Sequence, residues 1–319
     1  MVHIGKENMK LIRWGQSAYE TDDDIAREIH GVEALGSTLH KHPQDDHMLP
    51  IDTEGLIVTS KVQVSASVMQ ALPKLRFVLT STSGYEHIDV EYAHAHNIRV
   101  GRCPLARREA VVESTIAMGL SLIRSLPSLH HQAQQGKWAR SSLPQCNIKN
   151  LSDLSIGLIG YGIIGRAAFR VWRDLGAKVR WYDPNIAGSL PLEELLPISD
   201  IISVHCAHTE SSHRIINAET LAMMPSGSIL INTARGECVD MDALLRSTHL
   251  GGYGLDVFAP EPPENLSQIA AHPNSIILPH AAGYHNGLGN AVSKEVVEAV
   301  RMWTEEERLP HPIFSSEPL

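Results

Sequence analysis

Three scarcities bound this chain of 319 residues: few cysteines, no basic excess and no long apolar run. Cys103, Cys146, Cys206 and Cys238 stand far apart and form no CxxC pair. That spacing reads as reduced thiols of a cytoplasmic protein, mostly packing residues. Lys and Arg number 27 against 36 Asp and Glu, a formal net charge of −9. A nucleic-acid surface needs a clustered basic excess, so nucleic acid is not an expected partner. No run approaches the roughly 18 apolar residues of a membrane span. The opening stretch MVHIGKENMKLIRWG also lacks the apolar core of a signal peptide. The hydrophobic share is an ordinary 43%, enough for two cores, and the length prior is about two domains.

Short β-rich runs alternate with helical patterns along the chain. KLIRWG (10–15), GLIVTS (55–60) and RFVLTS (76–81) read as buried strands, while 21–35 and 65–75 have helical spacing. TLHKHPQDDHMLP (38–50) reads as a polar connection. Its His40, His42 and His47 lack the cage of Cys or carboxylates that a metal needs, so they read as a solvated loop. Residues 114–126 read as a helix. Six further strands follow in SIGLIG, KVRWYD, DIISVH, SGSILINTA, GGYGLDVF and NSIILP, with a helix from about Ile163 and a last amphipathic helix over 289–303. Strands alternating with helices give an α/β chain with doubly wound parallel sheets. Domain crossings are expected near Val100–Pro104 and Gly283–Gly289, so the last helix returns to the first domain.

GLIGYGIIG (157–165) holds Gly160-x-Gly162-x-x-Gly165 between a strand and a helix, with Tyr161, Ile163 and Ile164 filling the loop. The first glycine permits a tight turn, the second lets a pyrophosphate approach, and the third allows close helix–strand packing. The helix N-terminus then offers unpaired N–H groups to the phosphates. Asp183 ends the next strand, where a carboxylate binds the adenosine ribose hydroxyls. It would repel the 2′-phosphate of NADP, and Pro184 and Asn185 supply no offsetting cation. The expected cofactor is therefore NAD.

Three later strands end in polar groups: Arg235 in INTARGECVD, Asp256 and Glu261 in GLDVFAPEPP, and His280 in ILPHAAG. Moving the proton of an alcohol near neutral pH suits His. A carboxylate beside it holds the tautomer and stabilises the imidazolium. Gripping the carboxylate of a 2-keto acid suits Arg. These blocks resemble the D-isomer-specific 2-hydroxyacid dehydrogenases, over about 55–283. The resemblance implies that Arg235 binds substrate, His280 is the general acid/base and Glu261 is its partner. It places Thr233, Ala234, Asp256 and Gly283 around the nicotinamide, and His205 and Thr209 of SVHCAHT near the cofactor. It further implies a Rossmann NAD-binding domain (102–284) inserted in a flavodoxin-like substrate domain (1–101 with 285–319). A homodimer through the NAD domain and closure on a small 2-keto or 2-hydroxy acid also follow from it.

TSTSGYEHID (80–89) resembles the family's substrate-carboxylate loop, which makes Ser83, Gly84 and Tyr85 candidates. Ser60 and Lys61 match a segment that often faces substrate. The chain departs from the family at Thr82 (often Gly), Glu86 (Asp), Arg107 (Asn) and Ala282 (Gly). Local positive charge in an acidic chain suggests that Arg107 or Arg108, with Lys61, reads a second anionic group. Arg108 has an alternative partner in Glu109 or Glu113. The alternative function on this fold is a non-enzymatic, NAD-sensing, co-repressor-like binding protein. Glu261 argues against a formate dehydrogenase, which has Gln there. His280 and His285 lack the i, i+4 spacing of a zinc helix, and no metal is expected. His285 reads as a loop residue without a role.

Overall fold

Short apolar runs bounded by turn residues become strands that are buried on both faces, as parallel sheets require. The structure, a computed structural model, describes residues 8–313. The first seven residues of the opening stretch and the last six of the expected substrate domain lie outside the described residues. The chain divides into two compact units: residues up to Arg107 together with those from His285 onward, and Arg108–Tyr284.

In the first unit, β1 (Lys10–Trp14), β2 (Thr38–His42), β3 (Gly55–Val58), β4 (Phe77–Thr80) and β5 (Arg99–Arg102) form one parallel sheet. Its order is β2-β1-β3-β4-β5, the flavodoxin-like one. Trp14 pairs with Val58, Val58 with Thr80, and Thr80 with Arg102. That register brings the loops after β1, β3, β4 and β5 to one edge. The expected polar connection at 38–50 is corrected, because Thr38–His42 is a strand. It lies at the sheet edge and buries only Leu39, so polar residues suffice while its backbone pairs with β1.

The helix Leu288–Glu306 buries Leu288, Val292, Val296, Val300 and Trp303 along one stripe. Each large side chain is worth about 1.5–3 kcal/mol of burial, which drives the helix back onto the first unit. Glu295 on that helix accepts from the N–H groups of Leu105 and Ala106, at 2.9 and 2.7 Å. This caps the helix Leu105–Ile123, which starts nine residues before the expected Ser114. The capping group comes from the far end of the chain, so no local signal announces it. The first crossing accordingly falls at Arg107/Arg108 rather than Gly101/Arg102.

The second unit holds β6 (Ser155–Ile159), β7 (Lys178–Tyr182), β8 (Ile201–Val204), β9 (Ile229–Asn232), β10 (Gly252–Leu255) and β11 (Ser275–Ile277). All pairs are parallel, in the order β11-β10-β9-β8-β6-β7. The strand order reverses on either side of β6, and ligands of such sheets bind beyond the carboxyl ends at that point. Among the described residues no helix is long and apolar enough to cross a membrane.

Candidate active site

The loop after β6 has the geometry a dinucleotide needs. Gly160 has φ +97°, and a Cβ there would lie 2.5 Å from the Cys206 amide nitrogen. A Cβ on Gly165 would lie 2.1 Å from the Gly160 carbonyl oxygen, whereas one on Gly162 would meet nothing within 4 Å. The first and third glycines therefore close the turn, and the second leaves open space at the N-terminus of the helix Ile163–Asp174. Asp183 follows β7 and accepts from the Tyr161 and Asn185 N–H groups at 2.8 and 3.1 Å. His205 follows β8, with Nε2 2.9 Å from Ser203 Oγ. Burial pushes its imidazole down to about 4, so it is neutral at pH 7. Thr209 caps a short turn over Glu210–Ser212.

β9, β10 and β11 end side by side and carry the remaining candidates. Asn232 fixes the turn after β9: its Oδ1 accepts from Ala234 N–H at 3.0 Å and its Nδ2 donates to the Arg235 carbonyl at 2.8 Å. Thr233 is buried, its hydroxyl 2.9 Å from that of Thr115. The Arg235 guanidinium donates to the Ala234 carbonyl at 2.7 Å. A Cβ on Gly236 would lie 2.1 Å from the Phe258 carbonyl carbon, so only glycine lets the Arg235 turn press on the Phe258–Glu261 segment. There Phe258 N–H donates to Glu261 Oε1 at 2.9 Å.

Glu261 Oε2 lies 2.8 Å from His280 Nδ1. A carboxylate only accepts, so Nδ1 carries the proton and Nε2 remains to give or take one. Asp256 is almost fully buried and accepts from the Ala281 and Ala282 N–H groups at 2.7 and 3.1 Å, while its carbonyl takes the His280 N–H at 2.7 Å. Its pKa is raised by burial, against the pull of those two amides. The reading of Asp256 as a nicotinamide neighbour missed this grip on the His280 loop. Ser114 adds a hydroxyl bond to the Ala282 carbonyl at 3.1 Å, and Gly283 follows directly.

On the first unit, Ser60 and Lys61 are exposed after β3. The 81–85 loop follows β4. Among the described residues its Ser83, Gly84 and Tyr85 amides have no acceptor. Arg107 Nη1 donates to the Ser81 carbonyl at 2.8 Å, and Arg108 pairs with Glu109. Two residues without an assigned role in the sequence also hold this loop: Arg102, at the end of β5, and Thr82, where the family often has glycine. His285 acquires a structural role, with Nε2 3.0 Å from the Ala106 carbonyl.

The model for "D-isomer specific 2-hydroxyacid dehydrogenase, NAD binding domain" matches residues 116–282, just over half the chain. The chain belongs to the D-isomer-specific 2-hydroxyacid dehydrogenases. Among this family's members, the hydroxypyruvate reductase of Thermotoga maritima is 32% identical over 292 residues, 88% of this chain and 94% of that one. A D-3-phosphoglycerate dehydrogenase of Pongo abelii is 35% identical over 241 residues, 72% of this chain but 44% of that protein. The chain thus spans less than half the length of that relative. The solved D-lactate dehydrogenase of Aquifex aeolicus, complexed with NAD and lactic acid, matches with a TM-score of 0.75 at 27% identity, over 93% of this chain and 95% of that one. The second unit of this dehydrogenase-family chain is therefore its NAD-binding domain.

Proposed function

We propose that this chain interconverts a small 2-keto acid and a D-2-hydroxy acid with NAD(H). The observation that carries the reading is the 2.8 Å contact between Glu261 and His280 at the strand ends beside the Arg235 turn. NAD(H), when bound, supplies or accepts the hydride. The open space at Gly162, the helix N-terminus behind it and the carboxylate of Asp183 fit its pyrophosphate and ribose.

In the reducing direction, protonated His280 gives its Nε2 proton to the carbonyl oxygen as charge develops there. Glu261 holds the ring by Nδ1 and stabilises the imidazolium before the transfer. Arg235 binds the carboxylate and polarises the carbonyl, which suits a planar guanidinium. Asp256, Asn232 and Ser114 act on the backbone of these loops. Ser60, Lys61 and the free amides of Ser83, Gly84 and Tyr85 are the proposed substrate contacts of the first unit, with Arg107 lending charge from behind the loop. His205, neutral, and Thr209, Thr233, Ala234 and Gly283 line the cofactor side.

A second copy of the chain is the proposed partner. The helix Leu126–Gln134 buries none of its residues, and Leu126 and Trp138 are 52% and 86% exposed, apolar area that a partner copy would cover. The four cysteines are thiols, consistent with a cytoplasmic location. Loss of NADH absorbance with glyoxylate, hydroxypyruvate, pyruvate and phenylpyruvate tests the activity. A flat response across all four contradicts it and favours the NAD-sensing binder.

A further inference from the structure

The 81–85 loop pairs its carbonyls and leaves three consecutive amides without an acceptor among the described residues. Every carbonyl from Ser81 to Tyr85 is engaged. Arg107 Nη1 donates to Ser81 at 2.8 Å, Cys103 N–H to Thr82 at 3.2 Å, and Arg102 Nη1 to Ser83 at 3.2 Å. The Thr82 hydroxyl donates to Gly84 at 2.9 Å, and Ile88 N–H to Tyr85 at 2.9 Å. Thr82 is itself fixed, its hydroxyl 2.8 Å from that of Thr80. The Arg102 guanidinium also lies over the Tyr85 ring, 5.8 Å from its centroid. By contrast, the amides of Ser83, Gly84 and Tyr85 donate to nothing among the described residues. Consecutive unpaired N–H groups in a turn are the donor set of an anion-binding concavity.

We infer that Arg102 and Arg107 are positioning residues: they hold the carbonyls of the 81–85 loop inward so that its amides face a substrate carboxylate. The inference rests on the reading of the loop as the carboxylate site. Arg107 therefore works through the Ser81 carbonyl rather than by reading a second anionic group. Two guanidiniums behind the loop also bias the local field towards an anion, in a chain that is acidic overall. A guanidinium suits this task because its fork can hold a carbonyl with one nitrogen and keep others for a second partner.

The test uses the full chain and the variants Arg107→Ala, Arg102→Ala and Arg107→Lys, each checked for folding by its melting temperature. KM and kcat are measured for glyoxylate, and Kd is measured for NADH and for oxalate, a non-reacting dicarboxylate. Losing one charged hydrogen bond to the loop should raise the glyoxylate KM and the oxalate Kd about tenfold. In both Ala variants kcat and the NADH Kd should stay within about twofold of wild type, and Arg107→Lys should recover part of the loss. A folded Ala variant with unchanged KM and oxalate Kd overturns the inference. So does a fall in kcat at constant KM, which a merely structural role would give. If Arg107→Ala does not fold, Arg102→Ala decides by the same criteria. Oxalate binding separates the two layers. Wild type that binds oxalate but oxidises no NADH removes the proposed reaction, and oxalate affinity in the variants still supports or overturns the brace. Wild type that binds no oxalate overturns the brace outright.

Discussion

His280 reaches its position with φ 54°, in the left-handed region that His enters more readily than most residues. Such a conformation costs on the order of 1–3 kcal/mol and persists only where neighbours over-determine it. Here Asp256 supplies the restraint, taking the amides of His280, Ala281 and Ala282 on its carbonyl and carboxylate. Glu261 then fixes the ring itself. Replacing Glu261 with Gln keeps the shape of the contact and removes its charge. The expected outcome is a fall of about 100-fold in kcat/KM for 2-keto acid reduction, with the NADH Kd unchanged. Steady-state kinetics alongside an NADH titration would measure both. An unchanged kcat/KM would mean that Glu261 takes no part in proton transfer.

At the scale of elements, the carboxyl ends of the strands gather the polar groups, and the amino ends and faces carry the cores. β1 carries a buried charge within its length. Its Arg13 is fully buried between Glu20, at 2.5 Å, and Glu28, at 3.0 Å. Desolvation pushes Glu28 up to about 7 from its ordinary 4.5, against the attraction of Arg13 and with the repulsion of Glu20. The folded unit therefore keeps a proton that the unfolded chain releases in that window. Glu28's contribution is full below the window and is lost as pH rises through about 7. The melting temperature should fall between about pH 5 and about pH 8, and the fall should be smaller in Glu28→Gln. Parallel slopes for the two proteins would contradict this account of the cluster.

For the whole molecule, the uncovered helix Leu126–Gln134 and exposed Trp138 lead to a definite mass. Light scattering should report twice the 35.0 kDa of one chain, and Trp138→Glu should shift it towards one. A monodisperse 35.0 kDa species in the wild type would contradict the proposed pairing.

Much of this molecule was legible in its sequence where the cause is local. Parallel strands read as apolar runs, and Gly160–Gly165 followed by Asp183 needed only spacing. Thr38–His42 was not legible, because an edge strand draws its stability from backbone pairing rather than from apolar side chains. Nor was the start of the helix at Leu105, which is capped by Glu295 from 190 positions away. Arg102 stayed hidden for the same reason, since the Ser83 carbonyl it holds lies 19 positions away, whereas the contact of Thr82 with Gly84 is local. Arg235, Glu261 and His280 stood out singly as polar strand ends, and the contact between the last two is a product of the adjoining loops.

The most direct test of the central claim is NADH oxidation with glyoxylate and hydroxypyruvate by wild type and by folded His280→Ala. Wild type should turn over both substrates, and the variant should lose about 100-fold or more in kcat with NADH still bound. Equal turnover by the two proteins would contradict that claim.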